Sequence, residues 1–379
     1  MRIGHKILAV LAVCTAAPGA ERPKKPAITT LMYLVNRPDS IASFRAHAEG
    51  ISIVAPQTFS MDEYGFVMGE VPAEVMRIAR DKHVAVTPLV TNRGFRQPLM
   101  HTVLDSREAR ARAIRYLIYY ALRDGYQGFQ FDYENIHYTY REKFTSFFRE
   151  AAREFHRHGL ELSAAVVGRL DDTRNSNSPG GYDNWSGVYD YAAIGKVADY
   201  ISVMAYAEHG NTADPGPVAG MPWVRKIAKY SAETIPPRKV SLGVPFYAQR
   251  WEAVDPASQP VDQRARKWRG RSARYRDAAA AMAATAVWDE RESAPHLSFQ
   301  MDGRATELWY EDARSLGAKM RLAHEMGFRG VSAWALGQED PAFWDSLENW
   351  AVRHPRKALR EGTLDERSRR AAREMAPHK

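Results

Sequence analysis

Cysteine is almost absent from this chain. One stands in 379 residues, Cys14, and it lies in a segment patterned for removal. Arg2 and Lys6 form a charged start, Ile7 to Val13 a short apolar run, and Thr15 to Ala20 a small-residue stretch. That order is the pattern of an export signal, so residues 1–20 are expected to be a signal peptide. Leu-Ala-Val-Cys14 is similar to a lipoprotein box, but Val13 is bulky where a small residue is usual. A mature chain without cysteine can form neither a disulfide nor a thiolate metal site. Long hydrophobic runs are missing as well: the first is too short to span a bilayer, and no later one is long enough. Acidic excess is also missing. The formal net charge is +8, concentrated in Arg264 to Arg276 and in the stretch after Trp350. Basic residues interleaved with Trp268 and Tyr275 could suit nucleic acid, but an exported protein meets little of it, so no nucleic-acid partner is expected. The default for residues 353–379 is a charged, disordered tail; attraction to an anionic cell envelope is the functional reading of the same charge.

What is present is core material: 45% hydrophobic and 11% aromatic residues. Eight strand-like runs are spaced along the chain: 28–36, 50–55, 84–91, 128–134, 160–167, 200–206, 240–247 and 330–336. Amphipathic helical patterns separate most of them, over 73–82, 108–122, 140–158, 223–231 and 312–326. Strand–helix alternation predicts a parallel sheet under helices. Eight such units predict a (β/α)8 (TIM) barrel, an α/β fold, spanning residues 21–352. The connection from about 251 to 308 is too long for one helix and is expected to be a small α+β insertion between strands seven and eight.

The densest chemistry is in the fourth run. In Gly128 to Glu134, Phe129, Phe131 and Tyr133 alternate with Gln130, Asp132 and Glu134. Residues two apart on a strand rise about 6.6 Å along one face, so the two carboxyls are neighbours. Like charges that close resist joint ionisation, and one acid should stay protonated near neutral pH, as a glycosidase acid must. Alone, the alternation also fits a half-exposed strand. Parallel barrel strands are buried on both faces, however, and a buried carboxyl without a task is costly. In such a barrel chemistry gathers at the C-terminal strand ends. Tyr33, Met204, Tyr206, Glu208, Phe246, Tyr247 and Trp334 are placed at or near those ends, with Asn135 following the acid. Aromatics there suit the faces of sugar rings.

Gln127-Gly-Phe-Gln-Phe-Asp-Tyr-Glu134 resembles the signature strand of glycoside hydrolase family 18, usually Asp-Gly-x-Asp-x-Asp-x-Glu. Met204-Ala-Tyr206 resembles its Met-x-Tyr on strand six. Gly243-Val-Pro-Phe-Tyr247, Trp309 to Ser315 and Gly330 to Pro341 look like the branch of spore-cortex and peptidoglycan N-acetylglucosaminidases. The resemblance implies substrate-assisted hydrolysis of glycans containing N-acetylglucosamine, with no metal and no cofactor. Glu134 would be the acid and base, Asp132 the group that orients the substrate's acetamido arm, Tyr206 its hydrogen-bond donor and Trp334 the floor beneath the sugar. Gln130, Met204, Glu208, Tyr247, Phe246, Tyr33 and Asn135 would line the substrate. The chain departs from the pattern at Gln127 and Gln130, which replace aspartates, and at Ala207, where a carboxylate usually follows the tyrosine. Ala207 keeps a non-catalytic glycan-binding barrel open. Glu208 keeps open a conventional glycosidase with a protein nucleophile.

Overall fold

The computed structural model describes residues 26–174, 181–255, 257, 267–281 and 286–354. The expected signal peptide with Cys14, and the tail from residue 355 on, lie outside the described residues. Eight parallel strands close a barrel: β1 (Ala27–Leu34), β2 (Ile53–Met61), β3 (Leu89–Asn92), β4 (Gly128–Asp132), β5 (Glu161–Val167), β6 (Ile201–Met204), β7 (Val240–Pro245) and β8 (Gly330–Trp334). Each pairs with the next. Closure comes from β8 against β1, where Thr29 faces Gly330. The third run is split. Ala85–Val86 pairs with β2 ahead of β3, and Thr87-Pro88 interrupts the ladder because proline has no N–H to donate. Two strands begin with glycine because the neighbouring backbone comes too close for any side chain. A Cβ at Gly128 would lie 1.8 Å from the Glu161 carbonyl, and one at Gly330 would lie 1.9 Å from that of Thr29.

Each strand divides its side chains between two layers by the two-residue period. Outward residues such as Phe129, Phe131, Leu242 and Val244 pack under the helices; inward ones such as Leu31, Tyr33, Ile53 and Leu89 fill the lumen. The helix Arg141–Arg157 follows the predicted stripe. Phe144, Phe147, Phe148, Ala151, Ala152 and Phe155 are buried, and the Phe131 ring lies 5.5 Å from Phe147 and 5.6 Å from Phe148. Each fully buried phenylalanine contributes about 1.5–3 kcal/mol, which fixes β4 against its helix. The helix Arg107–Asp124 is set by its ends. The Ser106 hydroxyl accepts from Ala109 N, and Gly125 closes the helix at φ 79°, a left-handed position that glycine adopts freely.

The insertion begins earlier than expected, at Tyr247. Strands Tyr247–Ala253, Trp268–Arg274, Val287–Asp289, Ala294–Met301 and Arg304–Trp309 form a separate antiparallel sheet in which 247–253 lies between 268–274 and 304–309. Its helix spans Tyr275–Ala281. The subdomain has its own small core of Ala248, Ala278, Leu297, Leu308 and Tyr310. At the far end of the chain Ala351–Val352 adds to β1. Arg353, predicted to belong to the tail, donates its N–H to Ile28 O at 2.7 Å and its guanidinium to Ala27 O at 2.6 Å. Among the described residues no helix is long and apolar enough to cross a membrane.

Candidate active site

The inward positions of the barrel converge at the C-terminal end of the strands. Gln130 is fully buried. Its carbonyl accepts from Tyr33 Oη at 2.9 Å, and its amide donates to Ser202 Oγ at 3.2 Å and Ser163 Oγ at 3.3 Å. The glutamine that replaces a signature aspartate therefore acts as an uncharged strut across the lumen, and leaves Asp132 as the first acid of the strand.

Asp132 ends β4 and is buried, with 3% of its surface exposed. Burial pushes its carboxyl up to about 6, against hydrogen bonds from Glu134 and Gln57 that pull it down. Glu134, half-buried two residues on, is pushed up to about 9, first by burial, then by the charge of Asp132 and the hydrogen bond between them. Both carboxyls are raised by burial, and Glu134 further because it faces the Asp132 charge. Such a pair titrates as a unit. The backbone of Glu134 is held independently of its side chain: Asn92 Nδ2 donates to Glu134 O and Glu134 N donates to Asn92 Oδ1, both at 3.0 Å. The turn that follows uses Asn135 at φ 54°, in a region asparagine tolerates better than most residues. Its side-chain amide donates to Phe95 O at 3.0 Å. Tyr189 Oη donates to Tyr133 O at 2.8 Å, securing the same segment from the other side.

Aromatic groups complete the mouth. Trp334 ends β8, with a cis peptide to Ala335, and its ring lies 5.4 Å from that of Tyr33. Tyr206 and Tyr247 meet edge to face at 6.3 Å. Burial, then the neighbouring Tyr33, Asp132, Tyr247 and Glu134, raise the Tyr206 hydroxyl well above its ordinary value, so it remains a hydrogen-bond donor. Met204 closes β6 beside Val167.

Two candidates are placed elsewhere. Phe246 continues the outward parity of Val240, Leu242 and Val244; it is fully buried, 4.9 Å from Phe343 and 6.3 Å from Trp344, and belongs to the core. Glu208 follows Ala207, whose φ of 62° turns the chain away from the strand. Its carboxylate accepts from Gly220 N at 2.7 Å and is raised by burial and by nearby Glu292. It clamps a loop rather than joining the pair on β4. Sequence reasoning missed Gln57 and Asn92. Gln57 sits where β2 shifts register against β3, beyond Pro56, where the predicted strand had stopped. Asn92 is the last residue of β3, one place past the predicted end, and a polar residue at a barrel strand end was the signal for it. Among the described residues no cluster of His, Cys, Asp or Glu could hold a metal ion.

The profile of the glycosyl hydrolases family 18 matches residues 56–339. Over 346 residues, 89% of this chain and 92% of the relative, the sequence is 26% identical to the uncharacterized glycosylase YvbX of Bacillus subtilis. It is 26% identical over 312 residues to the cortical fragment-lytic enzyme of the same organism, covering 80% of this chain and 65% of that protein. Among solved structures, the chitinase from Chromobacterium violaceum superposes with a TM-score of 0.75 at 26% identity over 85% of this chain and 98% of that one. The spore cortex-lytic enzyme SleL of Bacillus megaterium shares the fold at a TM-score of 0.77 and 21% identity, over 88% of this chain and 76% of that one.

Proposed function

The chain belongs to glycoside hydrolase family 18 and is a glycosidase, and on that premise we propose that it is an exported enzyme cleaving β-linked N-acetylglucosamine glycans with the substrate's own acetamido group as nucleophile. The observation that carries this reading is the placement of Asp132 at the buried end of β4 with Glu134 two residues on, where burial and their mutual charge raise both carboxyls. A conventional retaining glycosidase sets two carboxyls about 5–5.5 Å apart on opposite sides of the sugar. Here the second carboxyl ends the strand that leads into the acid, only two residues away, and so lies beside the acid instead of across the sugar from it. Glu208, the other carboxylate considered, is engaged by Gly220 N. The nucleophile is then left to the substrate.

In this reaction the Glu134 carboxyl gives its proton to the glycosidic oxygen as the bond to the anomeric carbon breaks. The acetamido carbonyl oxygen forms the new bond to that carbon, giving a cyclic oxazolinium. Asp132, now relieved of its neighbour's proton, accepts from the acetamido N–H and balances the positive ring. Tyr206 donates to the acetamido oxygen, and Trp334 supports the apolar face of the sugar. The Glu134 carboxylate then takes a proton from water, whose oxygen opens the oxazolinium from the face the aglycone left, so configuration is retained.

The test compares matched glycosides. N-acetylglucosamine oligomers should be hydrolysed with the β-anomer appearing first by NMR, glucosides should be inert, and a thiazoline mimic of the oxazolinium should inhibit, because it resembles a species bound more tightly than substrate. Comparable hydrolysis of glucosides, or first release of the α-anomer, would overturn the reading.

A further inference from the structure

The end of the barrel opposite the acid pair carries two adjoining grooves. One, of about 740 Å³, runs between the last turns of the helices Arg141–Arg157 and Tyr191–Val197 and is lined by Arg149, Arg153, Arg157, Lys196 and Lys239. The other, of about 610 Å³, opens beneath the starts of β1, β5, β7 and β8 and is lined by Arg238, Arg329 and Arg353. The two abut, because Arg238 lines one and Lys239 the other. The acids nearby are few and occupied. Asp199 Oδ2 accepts from Leu162 N at 2.8 Å and meets His156 Nε2 at 3.0 Å. Glu161 keeps Oε2 out of solvent. Glu154 faces both Arg153 and Arg157, at 3.6 and 3.0 Å. Eight cations therefore meet three carboxylates. Cations in a last helical turn complement the helix dipole, which accounts for Arg157 and Lys196. It also accounts for Lys239, whose Nζ donates to Gly195 O at 3.0 Å and Lys196 O at 3.2 Å. Arg149, Arg153, Arg238, Arg329 and Arg353 lie outside any last turn, so the dipole gives no reason for them. Arg149, Lys196 and Arg238 are exposed, and no ion pair among the described residues engages their side chains.

We propose that these grooves hold a linear phosphodiester polymer, of poly(glycerol phosphate) type, along the face opposite the catalytic mouth. Guanidinium and ammonium groups give phosphate oxygens charge-assisted hydrogen bonds, and a polyanion gains further by shedding its counterions. A row of cations spread over two joined grooves suits a chain of anions better than a single ion. Two other polyanions fit the face less well. A protein seated on a lipid surface adds apolar side chains that enter it. The exposed large apolar residues here are Tyr64, Phe66, Met68, Trp185 and Val287, and none of them lines either groove. Single-stranded nucleic acid is held by aromatic side chains on which its bases stack, and the one Phe, Tyr or Trp lining the grooves, Phe328, is buried. The seven residues of β5, at about 3.3 Å each, separate this face from the acid pair by roughly 20 Å. A polymer bound here leaves the mouth open and turned away from it. The inference stands apart from the hydrolase reading and does not depend on it.

The experiment follows fluorescence anisotropy of labelled, soluble poly(glycerol phosphate) as the full chain is added at a series of salt concentrations. The wild type should bind, with a logarithmic salt slope equivalent to several phosphate contacts. Arg149→Gln, Lys196→Gln and Arg238→Gln combined should weaken binding by at least about 10-fold and reduce the slope by about 2–3. A matched variant, Arg107→Gln, Arg115→Gln and Arg304→Gln, removes the same charge from exposed sites elsewhere and should stay within about 2-fold of the wild type, because salt screens distant charges. Should the groove variant melt early, Lys196→Gln alone carries the test, with a slope reduced by about 1. No binding by the wild type, equal weakening in both triple variants, or a slope untouched by the groove substitutions would overturn the inference. Single-stranded DNA and phosphatidylglycerol vesicles are run beside the polymer at equal phosphate. If either bound as tightly, the face would belong to nucleic acid or to a membrane, and the proposed partner would be wrong.

Discussion

Asparagine at position 132 should drag the alkaline limb of the pH–rate profile downward. Glu134 rises from an ordinary 4.5 to about 9, and the causes are ordered: burial, then the Asp132 charge, then the hydrogen bond between the two. Asp132→Asn removes the charge and leaves the burial. Two unit charges about 4 Å apart at an effective dielectric of about 20 repel by about 4 kcal/mol, equivalent to about 3 pKa units at 1.36 kcal/mol each. Relaxation and partial solvation bring the expected change to roughly 1–3 units. The sign follows from the like charge. A nearby carboxylate makes deprotonation of Glu134 costly, so without it the proton leaves at lower pH, and the alkaline limb should fall from about 9 to about 6–8. The acid limb near 6, which reports ionisation of Asp132, should vanish. Turnover should drop by on the order of 10²-fold, because a preorganised group opposite a developing charge is lost. The assay is kcat/KM for a fluorogenic N-acetylglucosamine oligomer from about pH 4 to pH 10. An alkaline limb that stays near 9 would show that the Asp132 charge does not raise Glu134, and the account of the pair would fail.

Two further outcomes are expected. Glu134→Gln should lose at least about 10²-fold in turnover, yet gain relative stability in alkali. The folded state holds the Glu134 proton up to about 9 and the unfolded chain only to about 4.5, so this contribution is complete below the lower value and lost as pH rises to the higher one. Melting temperatures of variant and wild type should therefore diverge in the variant's favour between about pH 5 and pH 9, and parallel curves would refute the raised acid. Lys319→Met should destabilise by about 3–5 kcal/mol in denaturant unfolding, because it strands a buried carboxylate. Lys319 and Glu311 are both fully buried and paired at 2.7 Å, and a loss below about 1 kcal/mol would mean that water or another group replaces the lysine.

The barrel was readable because its two periodicities are strong and local. Alternation of Phe129, Phe131 and Tyr133 with Gln130, Asp132 and Glu134 marked both the strand and the acid pair, and the phenylalanine stripe of Arg141–Arg157 marked the helix above it. Errors arose where position depends on partners far along the chain. Phe246 was read as a cleft aromatic although its parity with Leu242 and Val244 points it outward. Tyr247 was joined to β7, whereas the insertion sheet captures it through pairing with Arg274. Gln57 was invisible because its role comes from a register shift beyond Pro56, which no local pattern announces. The cations of the two grooves opposite the mouth come from segments far apart along the chain, and only the folded chain brings them together.

Asn92 gives the acid's position a property of its own. With one amide it both donates to and accepts from the backbone of Glu134, so it behaves as a surrogate peptide unit, one extra rung after the ladder of β4 has run out. The glutamate side chain is thereby relieved of architectural duty. Replacing it is expected to leave the strand end intact, because Asn92 holds the backbone and not the carboxyl. Under the proposed mechanism catalysis and carbohydrate recognition are therefore separable at a single codon, and Glu134→Gln is expected to hold glycans and leave them uncut.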